Sequence, residues 1–523
     1  MLDLFNDSML NMKHLKTSIV VLISLVLLIG LFLWALTRLI TPDQVRDYVN
    51  KQLTALTGQT SHADGDINWQ LFPQPGLTIK SIRVGDEKDP KRYQLSINNL
   101  LFNLKIAPLL SGKLVFSEIE AHDFQMTINK NEPQAVDTLQ KTFDQGQSAS
   151  LHQRFAVERF LLTNGKVHWI DNNQVVEISK LQIATSELNF EDLPFPVQFK
   201  ANFTFIDNQK LVSKGRLQFK GNTRLTMSFI KDPLANLSDL VVEGQLAVQD
   251  FRYNRLRINK ITAQSYLKKH VLSLNPLTVN FYKGESIGDL VYYIDSHKLL
   301  LNQSGTAIDS SKLSDDLFGK KLITGLLDFS LHSESNLLEA NWLLDSVANG
   351  LVTIKNGTLE AINLPKIIEN VTANVNNQLA SKNTDIQQLL KKGQFDNPDY
   401  FTGSTPFKLF TMQQHLQQRK VLADTLVLQT DKLFVKGQGQ VNLNDYSLTG
   451  TLTAAVIDSS GKIALIQQLL GGSFPLLIQG SILNPLVVPN LKAINPLLTR
   501  YWLKSTLEKP IKFLQHFKAA LTP

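Results

Sequence analysis

Apolar and polar residues alternate with a period of two in segments spread along the whole chain, a pattern that suits half-buried β-strands and not helices. Ile67, Trp69 and Leu71 alternate with Asp66, Asn68 and Gln70, and Leu225, Met227 and Phe229 alternate with Thr226 and Ser228. Near the far end Leu448, Leu452, Ala454 and Val456 share one parity against Thr449, Thr451 and Thr453. Asn164-Gly165, Lys220-Gly221-Asn222, Lys283-Gly284 and Asn356-Gly357 read as hairpin turns between such strands. Helical spacing is confined to a few stretches: Leu364, Ile367, Ile368, Val371, Val375 and Leu379; Leu313, Leu317 and Phe318; and Ile463 to Leu470. The expected body is mainly β with short helices, a long antiparallel sheet whose apolar face could stay uncovered by a second sheet.

One segment departs from this. Residues 18–37 carry no charge, and at about 1.5 Å per residue they reach across a hydrocarbon core of about 30 Å. A transmembrane helix over 17–40 is expected, with 1–16 cytoplasmic because Lys13 and Lys16 precede the run and Arg38 is soon followed by Asp43 and Asp47. Thr41-Pro42-Asp43-Gln44 then reads as the capped start of a short helix that Gly58 ends. Two polar stretches, 131–153 and 380–405, look like linkers or lids. They divide the body into a first segment at 41–130, a central sheet at 154–379 and a last sheet segment at 406–499. The final stretch, 500–523, sets Leu503, Leu507, Leu514, Phe517 and Leu521 along one helical face beside Trp502, Lys504, Lys512 and Lys518. Such a tail suits an anionic membrane surface or a partner helix, and equally a terminal helix packed on its own domain.

The charge balance excludes several functions. The formal net charge is +7, of which the tail from Arg500 supplies +4 through five bases against Glu508, leaving a nearly neutral body. A nucleic-acid binder would need a basic stripe across its folded face. With no cysteine there are no disulfides, thiolate metal sites or cysteine nucleophiles. No two of the ten histidines fall within fifteen residues of each other, and no Gly-Lys is followed by Ser or Thr. Neither a histidine-pair metal site nor a P-loop is expected, and no cofactor. Gly284-Glu285-Ser286-Ile287-Gly288 matches a nucleophile elbow, which requires a helix after it; the next residues, Asp289 to Ile294, form a β-type run instead. Asp64 with Asp66 and Asp315 with Asp316 are read as turn and cap residues. The chain is therefore not expected to be an enzyme.

Six segments together resemble the AsmA family of Gram-negative envelope proteins. They are Gly65-x-Ile67-x-Trp69-x-Leu71-Phe72-Pro73-x-Pro75-Gly76-Leu77-x-Ile79; Pro108 to Leu114; Leu162 to Asp171; Phe281-Tyr282-x-Gly284; Lys355 to Leu364; and Phe474-Pro475-Leu476-x-Ile478-x-Gly480-Ser481-x-x-x-Pro485. Ala361 and Asn363 stand where the family would have glycine and aspartate. The resemblance implies a repeating β-groove related to chorein-type bridge-like lipid-transfer proteins, anchored in the inner membrane through 17–40 with its bulk in the periplasm. It also implies phospholipid as ligand, movement of that phospholipid towards the outer membrane, and a role in outer-membrane biogenesis. Candidate groove-lining residues are Ile67, Trp69, Leu71, Leu225, Met227 and Phe229. The competing expectation is a non-transporting scaffold or assembly factor that binds outer-membrane or other envelope proteins.

Overall fold

The computed structural model describes residues 60–70, 75–85, 93–105, 115–131, 156–189, 191–226, 228–229, 236–339, 341–380 and 403–490, with isolated helical positions within 43–54 and 492–500. The expected transmembrane helix at 17–40 and the tail beyond Arg500 lie outside the described residues, as do the two polar stretches apart from their end residues. Among the described residues no helix is long and apolar enough to cross a membrane. The chain divides into two compact units, residues 1–248 and 249–523.

The first unit holds β1 (Ser61–Ala63), β2 (Ile67–Gln70), β3 (Gly76–Val84), β4 (Tyr93–Leu104), β5 (Val115–Asn129), β6 (Ala156–Asp171), β7 (Gln174–Leu188), β8 (Phe195–Asp207) and β9 (Lys210–Arg224), and β10 (Val241–Tyr253) runs through the boundary. Helical residues at 43–54 tie themselves to β1: Arg46 Nε donates to the Ala63 carbonyl at 2.8 Å, and the Ala63 amide donates to Asn50 Oδ1 at 2.9 Å. Pairing is antiparallel except between β5 and β6, which run parallel with Val115 opposite Ala156. A hairpin cannot make that joint, so Asn129 and Ala156 sit at opposite ends of the pair.

Within this unit several strands are interrupted by a left-handed residue, and in β6 and β7 that residue is an extra one. Ser81 in β3, Asp123 in β5, Asn164 in β6 and Lys180 in β7 all have φ between 51° and 54°, and the strand register shifts at Asn164 and Lys180. Such bulges kink a strand and sharpen its twist. Asn164 Nδ2 donates to Asp123 Oδ1 at 2.5 Å, joining two of the left-handed positions. The Asn164-Gly165 pair is thus a bulge inside a strand and not the turn its sequence suggests, because the left-handed backbone that asparagine tolerates serves both devices. Asn356-Gly357 is a bulge against β15 for the same reason. Lys220-Gly221-Asn222 is uninterrupted strand, where a Cβ on Gly221 would lie 2.1 Å from the Glu243 carbonyl. The strand expected at Leu225 to Phe229 is not formed: β9 ends at Arg224, Thr226 makes one bridge to Glu191, and Ser228 and Phe229 are helical.

The second unit continues with β11 (Leu256–Lys268), β12 (Val271–Phe281), β13 (Gly284–Tyr293), β14 (Lys298–Asp309), α1 (Ser310–Phe318), β15 (Ile323–Asn336), β16 (Val347–Leu359) and α2 (Leu364–Ala380). It ends with β17 (Thr405–Gln417), β18 (Lys420–Gln429), β19 (Leu433–Asn442), β20 (Ser447–Val456), α3 (Gly461–Leu469), β21 (Phe474–Ser481) and β22 (Asn484–Pro489). Every consecutive pair from β11 to β22 is antiparallel. All 22 strands belong to one sheet. No pairing among the described residues returns β22 to β1, so the sheet is not closed. Lys283-Gly284 is the turn its sequence suggests, with Tyr282 and Lys283 at φ 45° and 69° between β12 and β13.

The three helices stand where α-helical spacing places them. In α2, Leu364, Ile367, Ile368, Val371 and Val375 are all buried, the predicted face. For α1 the face differs: it buries Ser310, Ser314 and Asp316 and leaves Leu317 53% exposed. The cause is a polar clamp. Arg257 on β11 donates from Nε and Nη2 to the two Asp316 carboxylate oxygens, each at 2.8 Å, while the Tyr282 hydroxyl donates to Oδ2 at 2.6 Å and accepts the Arg257 amide at 3.1 Å. Asp309 caps the helix by accepting from the Lys312 amide, and Gly319, at φ 73°, ends it.

The hydrogen bonds from Arg257 hold the Asp316 carboxyl below its ordinary range, and burial pushes the Tyr282 phenol up to about 12. Removing the shared acceptor in Asp316→Ala leaves both donors without it and should cost about 1 to 3 kcal/mol, read as a lower urea midpoint and faster amide exchange in α1. The two groups act at opposite ends of the pH scale. Asp316 contributes stability at neutral pH that disappears only as pH falls through its depressed folded value. Tyr282 contributes stability that drains away as pH rises from about 10, where the unfolded phenol ionises, to about 12. Tyr282→Phe should flatten the alkaline limb of the stability curve.

Candidate functional site

A sheet with one apolar face presents that face in rows, because residues opposite one another on neighbouring strands point the same way. In the first unit, β8 sets Phe195, Val197, Phe199, Ala201, Phe203 and Phe205 on one side and Pro196, Gln198, Lys200 and Asn202 on the other. Phe199 stands between Ile183 and Phe219, and Phe203 between Ile178 and Gly215. Phe195 and Ala201 are buried, while Phe199, Phe203 and Phe205 are only half-buried. Among the described residues the extensive contacts of β4 to β9 are all with sheet neighbours, so no second sheet seals these aromatics.

The second unit carries the better-formed site. Three rows cross β16 to β21 in register. The first is Ile354, Phe410, Leu428, Val435, Ala454 and Phe474; the second is Val352, Met412, Leu426, Gly437, Leu452 and Leu476; the third is Gly350, Gln414, Ala423, Gly439, Gly450 and Ile478. Two helices pack onto the first row: α2 and α3 share a buried cluster with Ile354, Leu428, Val435, Ala454 and Phe474. The expected trough, open along its whole length, is therefore partly plugged here. An apolar surface this wide gains about 25 cal/mol for each Å² that a helix covers.

Beside the plug a cavity of about 450 Å³ remains, lined almost wholly by apolar side chains that include Val352, Phe410, Met412, Leu426, Leu448 and Leu452. Two small residues, Ala423 and Gly439, are part of its lining. On the third row Gly439 and Gly450 face each other, and a Cβ on Gly450 would lie 2.6 Å from the Gln438 carbonyl and 2.9 Å from Gly439 Cα. Ala423 stands beside Gly439.

The roof shows how far this part of the sheet curls. The connections through α1, α2 and α3 all leave from one edge of the strands, whereas β15–β16, β17–β18, β19–β20 and β21–β22 turn at the opposite edge. Phe318, at the helix edge, nonetheless meets Tyr446 of the β19–β20 turn with ring centres 6.3 Å apart and planes at 85°. Lys320 Nζ donates to the Leu483 carbonyl at 2.9 Å and to Asn484 Oδ1 at 3.2 Å, both at the β21–β22 turn. Opposite edges of β14–β22 thus touch through side chains, and Phe318 and Tyr446 line the cavity they cross.

The groove residues read from the sequence are not in this cavity. Ile67 is 7% exposed in a small core with Ala63, Ile79 and Ile82. Trp69 is half-buried opposite Leu77, and its indole Nε1 is buried without a hydrogen-bond partner. Leu225 and Phe229 are half-buried beyond the end of β9, and Leu71 and Met227 lie outside the described residues. So do Trp502, Lys504, Lys512, Phe517 and Lys518. Of the segments singled out by alternation, the one ending in β20 does reach the cavity, through Leu448 and Leu452. Ala423 and Leu426 were missed because Asp424 and Thr425 form a bulge in β18 that reverses the parity between them, and Phe410 and Met412, which share one parity on β17, were not singled out.

The elbow geometry is not formed at Ser286. That residue lies inside β13 between Val279 and Gly305, is 3% exposed, and is followed by strand to Tyr293. Asp64 pairs with Arg83 and Asp316 with Arg257. Among the described residues no group of His, Asp or Glu is placed to hold a metal ion.

A family model for the AsmA family matches residues 12–228, which takes in three of the six segments that carry the resemblance. The Escherichia coli (strain K12) "Protein AsmA" is 30% identical over 109 residues, 21% of this chain and 17% of that protein's own length. No solved structure matches. Over residues 12–228 the chain is thus similar to the AsmA family, and it spans less than a fifth of the length of that relative.

Proposed function

We propose that this protein carries phospholipid acyl chains along the apolar face of its sheet, as an inner-membrane-anchored component of lipid movement towards the outer membrane. The observation that carries the reading is the apolar cavity between the third row and the Phe318–Tyr446 roof, on a face that stays partly uncovered. An acyl chain left in water costs about 0.8 kcal/mol per methylene, so a continuous apolar strip removes the main barrier to its movement. Shelter of this kind needs no catalytic group and no cofactor. The segment 17–40 serves as the anchor in this reading, which places the two units in the periplasm. The supply of lipid and any directionality come from partners outside the chain.

Mass spectrometry of lipid extracted from the purified full chain should find bound phospholipid. Met412→Glu puts an unpaired carboxylate into the cavity and should lower bound lipid by at least about tenfold, since its burial costs more than about 1.4 kcal/mol. Gln413→Glu, one residue away on the exposed face, should leave loading unchanged. Ala423→Phe should block the cavity by volume while the chain still unfolds cooperatively. A lipid-free chain that instead holds an envelope protein in fixed stoichiometry would make it a scaffold and overturn this reading.

A further inference from the structure

Away from the cavity, one turn of the second unit exposes the most solvent-accessible large apolar side chain among the described residues, Leu338. The turn lies between β15 and β16, at the strand edge that carries no helix. Leu338 is 70% exposed and Leu343 53% exposed, with Trp342 half-buried between them. The turn is held in shape and does not trail. The Leu338 amide donates to Asn336 Oδ1 at 3.0 Å, the Trp342 amide to the Glu339 carbonyl at 3.1 Å, and Ser346 Oγ to the Leu343 carbonyl at 2.8 Å. Behind it Arg419 grips Asp345 with two hydrogen bonds, at 2.5 and 2.8 Å, fixing the turn to the neighbouring β17–β18 turn. Large apolar side chains presented on an ordered prominence mark a contact surface.

Other turns on that edge indicate what touches it. Lys268 and Lys269 at the β11–β12 turn and Lys420 at the start of β18 are exposed and make no ion pair among the described residues. Three acids of the edge are engaged, Asp295 with His270, Glu334 with Lys298 and Asp345 with Arg419, while Glu339 on the turn itself is exposed and makes no ion pair among the described residues. Two exposed leucines beside a half-buried tryptophan, with exposed lysines on the same edge, suit the interface of a bilayer with anionic headgroups, where apolar tips enter and lysines stay at the phosphate level.

We infer that the β15–β16 turn, through Leu338, Trp342 and Leu343, seats this edge of the second unit on an anionic lipid bilayer. This goes beyond the carriage of lipid and adds to it a place of contact, with the lipid-sheltering face brought beside a membrane along its edge.

The absence of native cysteine makes the test direct. Leu338→Cys, Leu343→Cys and, on the exposed face of β20, Thr451→Cys are each labelled with an environment-sensitive fluorophore in the full chain. The chains are reconstituted with vesicles of phosphatidylethanolamine and phosphatidylglycerol. Positions 338 and 343 should be quenched by brominated acyl chains and shielded from iodide, and position 451 should show the reverse. Vesicles of phosphatidylcholine alone should weaken the effect, as should replacing Lys268, Lys269 and Lys420 by glutamine. The double variant L338D/L343D should reduce the contact by about tenfold or more. Equal iodide quenching at all three positions overturns the inference. So does shielding from both quenchers that grows with protein concentration, which would make the turn an interface between copies of this chain. Bound lipid counted on the same samples separates the two proposals: a chain that loads lipid but keeps 338 in water loses only this one, and a chain that embeds 338 but binds no lipid loses only the other.

Discussion

The structure depends on rows of apolar side chains held in register across neighbouring strands. Each row is a set of cross-strand pairs, and each pair gains about 0.2 to 1 kcal/mol over a pair of alanines. Backbone hydrogen bonds join the strands, but they are indifferent to which face is oily. The alternation decides that, and a slip of one residue would turn an entire strand inside out. Val352 to Leu476 on the second row of the second unit shows how tightly the choice is enforced: five strand junctions pass without a charged residue on that face.

A one-sided sheet has to do something with its apolar side. In the first unit Phe199 and Phe203 stay half-buried on the sheet face. In the second, α2 and α3 cover one row and leave a cavity beside it. The two solutions differ in what they leave available. Half-exposed aromatics offer a surface, whereas a roofed cavity offers a volume, with the small residues Ala423 and Gly439 in its lining. Curling is what permits the roof. A flat sheet would hold Phe318 and Tyr446 far apart, and only a strongly coiled one lets opposite strand edges meet through a ring contact worth about 0.5 to 1.5 kcal/mol.

How much of this was legible depended on whether parity ran unbroken. The Leu448 to Val456 segment and the α2 face were readable because nothing interrupts their periods. In β18 the same reading fails: the bulge at Asp424 and Thr425 puts Ala423 and Leu426 on one face although their numbers differ in parity. Asn164-Gly165 was misread for a related reason, since a bulge and a type I′ turn both call for a left-handed residue and only the partner strand distinguishes them. The buried face of α1 was illegible because Arg257, Tyr282 and Asp316 lie up to 59 residues apart and no spacing rule connects them. The cavity was hidden for another reason: the small residues in its lining, Ala423 and Gly439, announce no periodicity.

The neighbour-only packing of β4 to β9 has a consequence for how such a chain can change over time. Each strand answers to the one before and the one after, much as a repeat protein's stability is a sum over adjacent units. Inserting or deleting a whole hairpin in such a stretch would alter length in steps of about 9.6 Å, two strand spacings, without disturbing residues further along. The parallel joint of β5 and β6 is the exception, since a hairpin added there would have to break it. Length is therefore a quantity that evolution can tune in this architecture almost independently of sequence elsewhere, with that single seam as the fixed point.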